Sequence, residues 1–226
     1  MRTAAILPVK RFTRAKQRLG ASVADSLRAA LAAAMVADVM QALASTSAIE
    51  STIVVTAEPS LAATAAAHGA RVIADAREHG QSAAVGAGVR EALSAGVERV
   101  LCVPGDCPTL DPLELAALLE HAREEVVVMP DRHGTGTNGL LLAPPDAIAA
   151  SFGEDSCARH RALAQAASLR CRVERLPSLL LDVDTGADLD ALRARLAEHP
   201  SVRAPRTRAV LGHAAGPRAA TVNTPA

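Results

Sequence analysis

The chain has 226 residues but no tryptophan, no tyrosine and only two phenylalanines, Phe12 and Phe152. With so few rings for bases to stack on, single-stranded nucleic acid is a poor ligand. The 24 Lys and Arg residues balance 24 Asp and Glu, which removes the basic footprint that duplex binding requires. The four cysteines, Cys102, Cys107, Cys157 and Cys171, make no C-x-x-C pair and fit no common zinc spacing. They read as small buried hydrophobes in a reducing compartment. No apolar run is read as long enough to span a bilayer, and MRTAAILPVKR has the wrong order for a secretory signal. The expectation is a cytoplasmic protein with no nucleic acid and no membrane as partner. Internal repeats are also lacking.

Apolar residues are plentiful, at 50% of the chain, and they are mostly Ala, Leu and Val. Such a core suits helices packed on a parallel sheet, and the length favours one domain. Strand-like runs alternate with helical periodicity: TAAILPV, STIVVTA, ARVIAD and ERVLCVPGD are separated by stretches with apolar residues at helical spacing. Ser22 is a candidate cap for the first helix, and Asp111 with Pro112 marks the start of the fourth. Beyond residue 124, EVVVMPDRH and TGTNGLLLAP read as strands joined by a polar turn, and EDSCARHRALAQAAS as a helix. RCRVERLP and LLLDVDT then read as short strands, and GADLDALRARLAEH as the last helix. This pattern predicts an α/β fold, a single doubly wound, mostly parallel sheet over residues 1–199. Residues 200–226 lose periodicity and are expected to be a disordered tail.

In open α/β sheets, ligands bind beyond the carboxyl ends of the strands, and four segments place chemistry there. In ILPVKRFTRAKQRL, five cations (Lys10, Arg11, Arg14, Lys16, Arg18) crowd directly after the first strand, with Pro8 and Lys10 in the turn itself. Either this is a solvated charge run, or it is a loop that neutralises a polyphosphate through charge-assisted hydrogen bonds. This loop itself carries neither a G-x-G-x-x-G nor a Walker pattern. In VLCVPGDCPTLDP, Asp106 is either a turn former or a ligand for a hard cation, which needs few carboxylates when substrate phosphates complete its shell. In LLLDVDTGADLDAL, Asp182 and Asp184 share a side if the stretch is extended. One would bind metal while the other orders the turn; Asp188 and Asp190 fall in a helix's first turn. In DRHGTGTNGLLL and FGEDSCARH, the exposed amides and hydroxyls of Gly134 to Thr137 and a helix N-terminus at Gly153, Asp155 and Ser156 make a second, smaller anion site. Ser156 and His160 stand at i, i+4, but without an acid partner or an elbow motif they do not make a nucleophile–base pair.

These segments, in this order over about residues 3–195, resemble the CofC/FbiD family, the phosphoenolpyruvate or 2-phospho-L-lactate guanylyltransferases of coenzyme F-420 biosynthesis. The resemblance implies a nucleotidyltransferase fold of the nucleotide-diphospho-sugar transferase type. It also implies metal ligation by Asp106 and Asp182, with Mg2+ as the cofactor and Mn2+ as a substitute. Phosphoenolpyruvate contacts carry over to Thr137, Gly153 and Ser156. Lys10, Lys16 and Asp106 become the catalytic set, and Pro8, Lys10, Lys16 and Arg18 the nucleotide-binding loop. Where the family usually carries Leu-Asn, this chain reads HGQSAAV, so Gln81 and Ser82 stand on the base-binding side. The implied partners are GTP and a small phosphorylated acid, phosphoenolpyruvate first, with 2-phospho-L-lactate or 3-phosphoglycerate as alternatives. A molybdopterin-type cytidylyltransferase is the nearest rival, though its glycine-rich first loop is missing here. A homodimer and a handover to the next pathway enzyme stay open.

Overall fold

A computed structural model describes residues 1–13, 15–19, 24–75 and 78–214. Seven strands form one sheet: β1 (Thr3–Val9), β2 (Ser51–Thr56), β3 (Arg71–Ala74), β4 (Arg99–Cys102), β5 (Val126–Pro130), β6 (Thr137–Leu142) and β7 (Cys171–Val173). Their order is β3-β2-β1-β4-β6-β5-β7, and only β6 runs against the rest. The central strands are buried on both faces, so they read as continuous apolar runs rather than alternating ones. Chain order reverses between β1 and β4. Their pairing stops at Ile6 and Cys102, and beyond that point the two chains part. This is the crevice expected of an open α/β sheet.

Helices cover both faces, as the alternating pattern predicts. On one face α1 (Asp25–Ala44), α2 (Leu61–Ala67) and α4 (Pro112–His121) pack on alternate residues of the strands, among them Leu7, Val54, Leu101, Met129 and Leu141. On the other, α3 (Gln81–Ser94) and α5 (Ser156–Ala166) cover Ile6, Val55, Cys102, Val128, Leu140 and Leu142. Within β6 the two faces are out of phase at the start. Met129 pairs with Gly139 but Pro130 pairs with Thr137, so Asn138 is an extra residue, a β-bulge.

Local signals place the helix ends. Asp111 accepts from the Leu113 N–H at 2.8 Å, with Pro112 opening α4. Thr185 and Asp188 form a reciprocal capping box that opens α6 (Gly186–Glu198). Ser22 lies outside the described residues.

The structure departs from the sequence reading in four places. LLLDVDT is not a strand: a 3-10 turn at Pro177–Leu179 leads into an irregular segment. Leu179, Leu181 and Val183 are buried in the core, so the alternation is real. With β4 and β5 already flanking β6, no sheet edge is left there for another strand. Residues 205–214 are not a disordered tail but form helix α7 (Pro205–Ala214). Its N-terminus is capped from α1, where the buried Asp38 carboxylate accepts from the N–H groups of Thr207 (2.8 Å) and Arg206 (3.2 Å). Composition alone does not show a cap supplied by another helix; residues 215–226 lie outside the described residues. By length and composition α1 would cross a membrane, contrary to the sequence reading, but most of it is buried beneath the sheet. Cys171 is exposed, while the other three cysteines are buried as expected.

Candidate active site

Where β1 and β4 part, a cavity of about 450 Å³ opens at the carboxyl edge of the sheet. Its wall is built by the loop after β1, the Pro-Gly-Asp turn after β4 and the start of α3. Pro8, Lys10, Lys16, Arg18, Gln81 and Asp106 all line it. Asp75 and Glu78 line the side nearest α3. Gly105 lets the turn before Asp106 pack closely on α1, because a Cβ there would meet a Val36 methyl at 2.7 Å and force it to shift.

Lys16 is the pivot of this wall. Its backbone takes a left-handed φ of +57°, a costly conformation for a residue with a Cβ and one that usually marks a functional constraint. The side chain turns inward, only 9% exposed, and the ammonium contacts Asp106 Oδ2 at 2.5 Å and Asp184 Oδ1 at 2.7 Å. Burial works against its charge, but the Asp106 and Asp184 carboxylates prevail and hold it well above the ordinary lysine value. The run of cations is thus split. Lys16 is buried and committed, whereas Lys10 and Arg18 are exposed, and Arg11 pairs with Glu78 at 3.3 Å. Arg14 lies outside the described residues.

The irregular segment after Leu179 brings the second acidic pair alongside. Val183 N–H bonds to the Asp106 carbonyl at 3.1 Å, stitching this segment to the Pro-Gly-Asp turn. Asp182 accepts from Asn138 Nδ2 at 3.1 Å. Burial raises the Asp182 carboxyl, and the neighbouring Asp106 charge raises it further. The Cys107 thiol behind them is pushed well up by burial and then by the charges of Asp106 and Asp182. Asp106 Oδ1 is buried and has no hydrogen-bond partner among the described residues. A buried carboxylate oxygen without a donor is costly, and a cation would satisfy it. Among the described residues no three His, Cys, Asp or Glu side chains form a ligand set by themselves. The fit is therefore to a hard cation such as Mg2+ that takes one or two carboxylates and draws its other ligands from phosphate and water.

Thr137, Gly153 and Ser156 meet at a second place. Thr137 opens β6 and Ser156 opens α5, and both are buried. Ser156 N–H bonds to the Gly153 carbonyl at 3.2 Å, and Cys157 N–H to the Thr135 carbonyl at 3.0 Å, so the two glycine-containing loops dock on one helix end. None of the three lines the 450 Å³ cavity. Ser82 does not line it either. Its hydroxyl accepts from Phe152 N–H at 2.8 Å, tying the start of α3 to the loop before α5 and so joining the two places. His160 makes no pair with Ser156, because its nitrogens face Thr137 and the Ser151 N–H.

Sequence reasoning left the partner of Lys16 open and did not single out Asn138. The spacing of Asp182 and Asp184 held the first signal, since two carboxylates on one side allow one to meet an ammonium while the other meets an amide. Asn138 gave none, because its role depends on the bulge.

Over residues 3–195 the sequence matches the family described as Guanylyl transferase CofC like. The chain belongs to this family. A phosphoenolpyruvate guanylyltransferase of Conexibacter woesei is 50% identical over 87% of this chain and 90% of its own length. A 3-phospho-D-glycerate guanylyltransferase of Phenylobacterium zucineum is 39% identical over 81% of this chain and 86% of its own. In fold, this CofC-like chain superposes on a Desulfovibrio desulfuricans protein assigned to the nucleotide-diphospho-sugar transferases, with a TM-score of 0.72 at 19% identity, covering 94% of this chain and 95% of that one. The CofC-like chain is thus a nucleotidyltransferase.

Proposed function

We propose that this enzyme transfers the guanylyl group of GTP to the phosphate of phosphoenolpyruvate, releasing pyrophosphate and giving enolpyruvyl-diphosphoguanosine for coenzyme F-420 biosynthesis in the cytoplasm. The observation that carries the proposal is the pairing of Asp106 and Asp184 with one buried lysine, with the Asp182 carboxylate next to Asp106, at a cavity rimmed by further cations. About 450 Å³ is the size of a small-ligand site, and this one offers its charge where a triphosphate needs it.

In this reading Lys10 and Arg18 hold the β and γ phosphates at the mouth, and Lys16 faces the α phosphate from the floor. Mg2+ held by Asp106 and Asp182 would neutralise the phosphate oxygens and the departing charge. Thr137, Gly153 and Ser156 hold the acid so that one oxygen of its phosphate is in line with the α phosphorus. That oxygen forms the new bond, and the bond from the α phosphorus to the bridging oxygen breaks, leaving pyrophosphate. A phosphate monoester has its second pKa near 6 and is mostly dianionic at neutral pH, so no general base is needed. Positioning and charge neutralisation supply the rate. On the base side Asp75 supplies a carboxylate acceptor. Guanine presents two adjacent N–H donors that such a group can accept together, whereas the corresponding edge of cytosine carries one amino donor beside an acceptor.

The test is pyrophosphate release by the purified chain with GTP, Mg2+ and each acid in turn, coupled to the enzyme that consumes the unstable product. Release with phosphoenolpyruvate is expected, and none with any acid from a folded sample overturns the assignment. The Phenylobacterium relative supports a second reading, in which 3-phosphoglycerate is the better acid; the same comparison decides it. CTP outperforming GTP would favour the cytidylyltransferase rival.

A further inference from the structure

The acid-side loops are organised around one side chain to which the proposed transfer assigns no step. His160 lies on α5, one turn past Ser156, and is fully buried. Its ring nitrogens have different neighbours: Nε2 is 2.9 Å from the Ser151 N–H, and Nδ1 is 3.1 Å from Thr137 Oγ1. A backbone N–H can only donate, so Nε2 is the bare nitrogen and Nδ1 carries the hydrogen. Nδ1–H therefore donates to Thr137 Oγ1. A hydroxyl whose oxygen accepts from a ring N–H keeps its own hydrogen for another acceptor.

The surroundings hold this arrangement in place. The Phe152 ring meets the imidazole edge-on, with centroids 5.2 Å apart and planes at 73°. Burial and then the Arg159 charge push the imidazole down to about 4, so the ring is neutral where the enzyme works. Arg159, its neighbour on α5, takes the opposite polarity of the same loop: Nη2 donates to the Ser151 and Phe152 carbonyls at 3.1 and 3.2 Å, and Nε to Ser151 Oγ at 3.0 Å. Two adjacent residues thus satisfy both the donor and the acceptor groups of the loop that ends at Gly153.

We propose that His160 is a positioning residue for the acid substrate: its Nδ1–H fixes Thr137 as a hydroxyl that donates to the anionic group of the acid, and its Nε2 pins the loop carrying Gly153. The inference rests on the reading above that Thr137, Gly153 and Ser156 take the acid.

Kinetics of pyrophosphate release, with KM measured separately for GTP and phosphoenolpyruvate, test it in Thr137→Val, His160→Phe and the double variant, with thermal melting to report folding. His160→Phe is expected to raise the KM for the acid about tenfold, the scale of one lost hydrogen bond to a charged ligand, while leaving the KM for GTP within about twofold. The same change in the Thr137→Val background is expected to add less than about threefold, because the hydroxyl through which it acts is gone. Equal effects in both backgrounds, or an unchanged acid KM in a folded His160→Phe, overturn the proposal. The acid-site reading fails separately, through Thr137→Val leaving the acid KM unchanged. Should His160→Phe not fold, nitrogen NMR of the wild-type imidazoles supplies the decision. The imidazole that stays neutral to the lowest pH is expected to carry its hydrogen on Nδ1, and a hydrogen on Nε2 overturns the proposal.

Discussion

Lys16 Nζ stands 2.5 Å from Asp106 Oδ2, across 90 residues of sequence. The contact joins the loop after β1 to the turn after β4, the two strands between which chain order reverses. Asp184 holds the ammonium from the other side. A charge this deep is stable only because it is doubly paired, so each member of the group has effects that reach beyond its own role.

Asp106→Asn is expected to lower turnover at least about a hundredfold, since it removes a charged metal ligand and half of the lysine's compensation. Direct binding of GTP should survive. Pyrophosphate release against Mg2+ concentration measures the first, and calorimetry with GTP the second. Full activity in this variant would remove the metal-assisted reading.

Lys16→Ala is expected to raise the KM for GTP more than the KM for the acid, because the lysine belongs to the triphosphate side of the cavity. Steady-state kinetics with each substrate varied in turn gives the ranking. The opposite order would show that the loop serves the other ligand.

Asp75→Ala is expected to reduce the preference for GTP over CTP, measured as a ratio of kcat/KM, by about tenfold, the scale of a lost charged hydrogen bond. Its Oδ1 already accepts from the Glu78 N–H at 3.1 Å, so the carboxylate is held on the cavity wall. An unchanged ratio would move guanine recognition elsewhere.

His160 links stability to pH. Its folded value of about 4 lies below the ordinary 6.5, so between those values the unfolded chain binds a proton that the folded one does not. Stability should fall as pH drops from 6.5 towards 4, by up to about 3 kcal/mol from this group alone. Denaturant titrations of the wild type and His160→Gln across that window measure it, and the variant should show the shallower slope.

Asp38→Ala should cost about 1–2 kcal/mol, the value of a helix cap, because the Arg206 and Thr207 amides lose their acceptor. For a chain of this size that is a fall in Tm of about 2–8 °C. Asp38→Asn keeps an acceptor and should lose less.

Much of this was legible in the sequence where a local rule coincides with a global one. TAAILPV is a strand by composition and is buried on both faces as β1, while Asp111-Pro112 is a helix start by chemistry and opens α4. The clustering of Asp106, Asp182 and Lys16 was anticipated by the rule that ligands sit beyond strand carboxyl ends, together with the family resemblance. What escaped depends on a partner distant in sequence. LLLDVDT alternates like a strand but finds no free sheet edge. The α7 segment looks structureless until Asp38 is placed beneath it. The ring of His160 has its meaning only once Thr137 and Ser151 stand on either side.

The extra residue in β6 has a consequence for how this site is wired. Leu141 faces α4 and Leu140 faces α5; strict alternation would point Thr137 the same way as Leu141, away from His160. The inserted Asn138 resets the phase. Neighbouring side chains then serve opposite sides of the sheet, one amide steadying Asp182 and one hydroxyl meeting the imidazole. A lineage that lost this single amino acid would uncouple the two halves of the reaction centre at once, even if every charged residue in it were kept.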